Sequence, residues 1–312
     1  MVALWSERAN CVSREDQRER MDSTRPTEPV MGTTPFIGTE ALASGALTRS
    51  QLRWNYDALH PDVYLAKGAR RHLWTRIEAA WLWTRRRGIV AGRAAVGQYA
   101  HTSVERAAPV ELLAVARRRE PGVITRNERI AEDEIRSRGD MRVTTARRTA
   151  LDLARHLPRQ LAVAYLDVLA AATKISGDDV FQLADRYPGA RGIQTAREVI
   201  GLMDGGADSP EESRLRLLLM DAGLPRPETD IIVGAGFESV RIAMGWRRFK
   251  VGVMYKARSE AIGDTGAIME SAAAARRQLE GWMTFTVVPQ HHRSQILRGV
   301  RPMLAARSRN RR

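Results

Sequence analysis

The run Ser209-Pro210-Glu211-Glu212 constrains this chain more tightly than any other feature, because it fixes where one helix begins. Serine is a cap whose hydroxyl accepts from a free backbone N–H. Proline at the first helical position gives up an N–H that would have no partner, and glutamate at the third completes a capping box. The helix is predicted to run to Ala222 and to stop at Gly223. Beyond it, Thr229–Val233, Phe237–Met244 and Phe249–Tyr255 alternate like strands of one antiparallel sheet. A helix over Ile268–Glu280 and a strand over Thr284–Val288 follow. The order α-β-β-β-α-β defines a domain over residues 207–300, with residues 301–312 as a basic tail expected to fray.

Upstream, residues 1–34 mix charge with small polar residues and carry Pro26 and Pro29, which reads as a mobile leader. A start at Met21 or Met31 would also explain it. Residues 35–88 form a head: a short helix over Thr39–Ser44 closed by Gly45, a second helix started by Thr48 with Gln51 three positions on, a strand over His60–Leu65, and a helix over His72–Arg87. Residues 89–206 read as a mixed but mainly helical middle. Its helices are expected at Gly92–Ala100, Thr145–Leu157, Leu161–Ala172, Asp178–Arg186 and Ile193–Met203, with short strands at Val110–Val115 and Gly122–Arg126. The fold class is α+β.

A short helix, a tight turn, a second helix and a strand wing make a winged helix-turn-helix pattern. The second helix of that motif enters the major groove with its N-terminal residues toward base edges. This nominates Arg49, Ser50 and Arg53 as readers, since arginine can fork onto guanine and serine can donate or accept. Leu52 and Trp54 are expected to face inward, and Trp54, Trp74, Trp81 and Trp83 to be packing residues. Lys67, Arg70 and Arg71 suit phosphate contacts, which position without specifying sequence. Charge agrees with such a partner: 50 lysines and arginines against 36 acids give a net +14 over 312 residues. The lone cysteine, Cys11, excludes an internal disulfide and a cysteine zinc site. With no apolar stretch long enough to span a bilayer and no signal-peptide core, the expected location is the cytoplasm and no membrane partner is expected.

Three segments resemble one family. GTEALASGALTRSQLRWNYDALHPDVYLAKGA is similar to the N-terminal winged-helix segment of actinobacterial AbiEi-like antitoxins, RVTTARRTALDLAR (Arg142–Arg155) to their middle signature, and ADSPEESRLRLLLMDAGLPRP (Ala207–Pro227) to the opening of the endonuclease-like domain many of them carry. That domain resembles very-short-patch-repair and PD-(D/E)xK nucleases. The resemblance implies a restriction-endonuclease-like C-terminal fold, an antitoxin or regulator role, double-stranded DNA as partner, and a cognate toxin or other protein as a second one.

The resemblance also implies an acid set that this chain has lost. The helix acid is Glu212, but the strand aspartate falls at Ala243, the next glutamate at Met254 and the following aspartate at Lys256. Magnesium takes oxygen ligands, normally one or two carboxylates with waters and phosphate, and phosphodiester hydrolysis depends on it. Strand alternation puts Phe249, Val251, Val253 and Tyr255 on one face, and Lys250, Gly252, Met254 and Lys256 on the other. Ammonium groups repel a dication, and a thioether does not hold magnesium. Lys256 without the acids cannot assemble a metal site, and Glu212 is explained by helix capping.

Other candidates are bland. Asp264 and Glu270 lack ligand spacing, His291 and His292 are adjacent and point apart, and Asp178-Asp179 caps a helix. No cofactor and no metal are expected. The function read from the sequence is a DNA-binding protein with an inactive nuclease-like domain. An active metal-dependent endonuclease with relocated acids and a partner-binding module without DNA are the alternatives.

Overall fold

A computed structural model describes residues 32–100, 108–115, 118–234, 239–256, 279 and 281–309. The chain is mixed α+β, and it divides into two compact units between Trp83 and Thr84.

The first unit begins with β1 (Phe36–Ile37), α1 (Gly38–Ala43) and α2 (Arg49–Asn55). The hairpin β2 (Tyr56–His60) and β3 (Val63–Ala66) follows, then α3 (Leu73–Trp83). The sheet order is β1-β3-β2, all antiparallel. Thr48 starts α2 with the expected reciprocal capping box: its hydroxyl accepts from Gln51 N, while Gln51 Oε1 accepts from Thr48 N at 2.8 Å. Ile37, Leu52, Val63, Leu65, Ile77 and Trp81 fill the core. The single strand expected over His60–Leu65 is two strands. Asp62 turns the chain between them with a positive φ of 62°, a conformation short polar side chains tolerate. Its carboxylate then accepts from Thr39 N at 2.9 Å and Thr39 Oγ1 at 2.7 Å, which ties the turn to the start of α1.

The second unit opens with β4 (Ile89–Ala91), α4 (Gly92–Val96), β5 (Val110–Leu113), β6 (Val123–Arg126), β7 (Ile135–Arg138) and β8 (Met141–Thr144). They make a five-stranded mixed sheet in the order β6-β5-β4-β8-β7. The mainly helical reading of residues 89–206 therefore missed β4, β7 and β8. β4 has only three residues. β7 is an edge strand of Ile-Arg-Ser-Arg with no apolar alternation. The signal for it is Gly139-Asp140, a two-residue hairpin turn with Gly139 at φ 56°.

Four helices follow as expected: α5 (Ala146–His156), α6 (Arg159–Thr173), α7 (Gly177–Ala184) and α8 (Ile193–Ile200). The cap of α7 is Ser176 rather than the Asp178-Asp179 pair; Asp179 is its capping-box partner, accepting from Ser176 N at 2.9 Å.

α9 (Pro210–Asp221) is capped by Ser209, whose hydroxyl accepts from Glu212 N at 3.2 Å. β9 (Glu228–Val233), β10 (Val240–Trp246), β11 (Val251–Tyr255) and β12 (Met283–Val287) form the sheet β12-β11-β10-β9, with β12 parallel to β11 and the other pairs antiparallel. Apart from Leu279, the expected helix over Ile268–Glu280, with Asp264 and Glu270, lies outside the described residues, as do residues 1–31 of the leader. The tail expected to fray is instead mostly helical. Residues 301–309 are the second half of α10 (Arg293–Arg309), whose Ile296, Val300 and Leu304 pack with Leu215 and Leu219 of α9 against Met244, Trp246, Val251, Val253 and Val287 of the sheet.

Candidate functional site

In the first unit the nominated readers lie on the open side of α2. Leu52 points into the core, which turns Arg49, Ser50 and Arg53 to solvent. Trp54 does not face inward as expected: it is 67% exposed, with the Arg53 guanidinium 5.8 Å from its ring centroid. The cause is helical phase. Leu52 occupies the inward position of a seven-residue helix, and Trp54, two residues on, lies on the far side. Trp81 is buried, while Trp74 and Trp83 are half-buried. Lys67 donates to the Trp54 carbonyl at 2.6 Å, so the residue after the hairpin is fixed against the end of α2. Arg71 pairs with Asp57 at 2.7 Å and Arg70 is exposed. The first unit thus gathers one exposed aromatic ring, three exposed cations on or beside α2, and Ser50.

In the second unit the acid position Glu212 is buried and occupied. Its Oε1 accepts from Arg241 Nη1 at 3.0 Å, and its Oε2 accepts from Arg241 Nη2 at 3.0 Å and from Asp208 N at 3.0 Å. Glu212 does not close a box on its own cap; it receives a bidentate guanidinium from β10. Arg241 is consumed as well. Its Nε reaches Asp230 at 2.8 Å and Asp208 at 3.1 Å, and its Nη2 also donates to the Gly206 carbonyl at 3.1 Å. The hydrogen bond to Glu212 is the first cause holding the Arg241 proton more tightly than usual. Ala243, two residues further along β10, is buried, Met254 sits half-buried on the neighbouring β11, and Lys256 is exposed just past the end of that strand. Phe249 falls in a turn before β11, yet it packs with Val251, Val253 and Tyr255 against the face covered by α9 and α10, as the alternation implied. The positions named from the resemblance fall on α9, on the paired strands β10 and β11 and just past the end of β11, and the one acid among them, Glu212, is held by a guanidinium. Sequence reasoning missed Arg241, which lies two residues before Ala243 on β10.

The run Arg142–Arg155 builds a buried charge network. Arg148, 1% exposed, donates through Nε to Asp152 at 3.0 Å and through Nη1 to Glu134 at 2.6 Å, and its guanidinium lies over the Tyr187 ring at 5.2 Å. Arg155 reaches Glu128 at 2.6 Å, and His156 lies 3.0 Å from the same carboxylate. Ligand-type atoms of Glu128, Asp152 and His156 all fall within 4.8 Å of one another. The two carboxylates already carry Arg148 and Arg155, so a dication there would meet two guanidiniums; the cluster is a structural knot. A neighbouring cleft of about 440 Å³ is lined by Asp133, Glu134, Thr145, Arg147, Gln182 and Arg186. Arg186 is spent on Asp133 at 2.7 and 3.0 Å. His291 stacks on Phe285 at 5.7 Å, and His292 sits at the start of α10, where its N–H donates to Gln295 at 2.7 Å.

No protein-family model matches the chain. Two proteins of Mycobacterium tuberculosis, from strains CDC 1551 and H37Rv and both described as uncharacterized, are each 32% identical to it over 142 residues. The match covers 45% of this chain and 51% of theirs. The chain thus spans about half the length of the curated relatives it matches. Among the described residues, no helix is long and apolar enough to cross a membrane.

Proposed function

We propose that this chain is a DNA-binding protein of the antitoxin or transcriptional-regulator type, acting in the cytoplasm, with a C-terminal nuclease-like domain that no longer cleaves. The observation that carries the reading is the open side of α2, where Arg49, Ser50 and Arg53 stand at the positions a reading helix presents to base edges. Two features support it. The order strand, helix, helix, hairpin with the sheet β1-β3-β2 suits a winged helix-turn-helix, with the Pro61-Asp62 turn at the tip of the wing. The order helix, three antiparallel strands and a parallel β12 suits an endonuclease-like core, and the Glu212–Arg241 pair argues against metal chemistry there. A cognate toxin or another protein would be the second partner.

The test is an affinity series on duplex DNA from upstream of the gene, against random duplex, at several salt concentrations, with magnesium or manganese added in parallel. Sequence discrimination that falls in Arg49→Ala/Arg53→Ala supports the reading. Equal affinity for both duplexes removes sequence-specific regulation, and metal-dependent cleavage lost in Glu212→Ala would restore the nuclease.

A further inference from the structure

The second unit carries a row of arginines that the head does not explain. α10 has the sequence RSQILRGVRPMLAARSR, five arginines and no acid. Ile296, Val300 and Leu304 bury one side of it. At 100° per residue, Arg298 and Arg309 lie about 160° and 180° from the middle of that stripe and Arg301 about 100° from it, at its flank, and all three are exposed. The row is roughly 16 Å long at 1.5 Å per residue. That is comparable to the rise of five base pairs, over which one strand presents a phosphate about every 3.4 Å along the axis.

Two observations show these charges are held in place but not neutralised. Arg301 donates to the Ala222 carbonyl at 2.8 Å, satisfying the C-terminal end of α9, and Arg298 Nε donates to the Ser294 carbonyl at 3.3 Å. Both partners are neutral. Among the described residues, no acid pairs with any arginine of α10. Arg307 and Lys250 both reach Gly281, but Arg307 lies about 160° round the helix from Arg309, on the buried side, so this pair is not part of the row.

We infer that the exposed arginines of α10, Arg298, Arg301 and Arg309, form a second, sequence-independent contact surface for the phosphate backbone of duplex nucleic acid. The inference rests on the proposed function only in taking nucleic acid as the partner. A membrane fits less well: the apolar side of α10 is spent on the fold, and the exposed positions between its arginines are Ser, Gln, Pro and Ala, with nothing to insert into lipid.

The experiment uses the full chain and random-sequence duplex across a salt series. Arg298→Gln/Arg309→Gln removes two charges while leaving the Arg301 and Arg307 anchors. Each lost phosphate contact lowers the slope of log affinity against log salt by about 0.9. The double variant is expected to flatten the slope by about 2, at unchanged thermal midpoint and unchanged sequence discrimination. An unchanged slope overturns the inference even where Arg49→Ala/Arg53→Ala still loses discrimination, so the head reading stands alone. A flattened slope in a protein that never discriminates sequence leaves the inference standing without the head reading. Retention on phosphatidylserine vesicles but not on duplex overturns it in favour of a membrane, and no duplex binding at any salt overturns both.

Discussion

Arg241 is the residue on which the C-terminal site turns. It binds Glu212 through both terminal nitrogens, and its removal would leave a buried carboxylate with one backbone N–H. Breaking such a pair from one side usually costs about 3–5 kcal/mol, because the remaining charge stays buried. Arg241→Ala is therefore expected to destabilise the second unit by about 3 kcal/mol in urea unfolding, at the low end because Arg241 is partly exposed. Arg241→Lys, which cannot grip both oxygens, should recover only part of it. Trp54 predicts the opposite pattern. It is exposed, so Trp54→Ala should move stability by no more than about 0.5 kcal/mol, while weakening duplex binding in the same titrations. A fall in folding stability with no change in binding would assign the ring to packing. Both residues mark a boundary of sequence reasoning. Glu212 was legible as a helix-start residue because its cap is three positions away. Its partner was not, because Arg241 arrives from 29 residues further on through the register of β10.

Elements with a local cause were legible, and those with a tertiary cause were not. The capping box of α2 rests on Thr48 and Gln51 alone, and Thr48→Ala is expected to cost about 1 kcal/mol, read as a shift in the thermal midpoint of the first unit. α9 was legible from Ser209 and Pro210. β7 was not, since an exposed edge strand needs no apolar alternation, and only its Gly139-Asp140 turn announced it. α10 was hidden by arginine density, although Ile296, Val300 and Leu304 recur every four residues, which is a helix stripe. Pro302 also spoke against a helix there. It is exposed, however, and the carbonyl it leaves free, that of Arg298, is on the wet side. The stripe is what docks the helix. Leu304→Ala should cost about 2–5 kcal/mol, and a loss far below that in denaturant titration would show α10 to be only loosely attached.

At the scale of the whole molecule, the second unit should answer acid in two opposed ways. Burial alone would raise the Glu128 carboxyl. Hydrogen bonds from His156 and Arg155 outweigh it and hold the group down to about 2, from an ordinary 4.5. The folded state therefore binds this proton more weakly, and the stabilisation is complete above pH 4.5 and lost as pH falls toward 2, on the order of 3 kcal/mol. Asp152 and Asp167 run the other way. Burial pushes both up to about 6, so the folded state holds those protons more tightly and stability falls as pH rises from about 4 to 6. Glu128 contributes to the acid limb of stability, and Glu128→Gln should flatten that limb in a pH series of unfolding midpoints.

The boundary expected at residue 206 meets a different fact in α9. Glu212, Ser213, Leu215, Arg216, Leu217 and Leu219 are all buried, so the helix is enclosed on more than one side. Leu215 and Leu219 face the C-terminal sheet, while Arg216, 0% exposed, binds Asp167 of α6 at 2.8 Å. Asp167 in turn accepts from Asp204 N at 2.7 Å, and Arg159 at the start of α6 clasps Asp221 at the end of α9 with two bonds of 2.8 Å. A helix buried on two sides belongs to two layers at once, and cutting the chain beside it exposes one of them. The Leu217-Leu218-Leu219 run carried this signal, since a one-sided helix has no use for three consecutive leucines. A fragment of residues 84–312 is thus expected to unfold in one cooperative transition. A fragment of residues 207–312, deprived of α6, should give poorly dispersed amide resonances and bind a hydrophobic dye. A dispersed spectrum and a sharp transition from the shorter fragment would make the C-terminal part an independent domain, with the Asp167–Arg216 pair only a seam between two bodies.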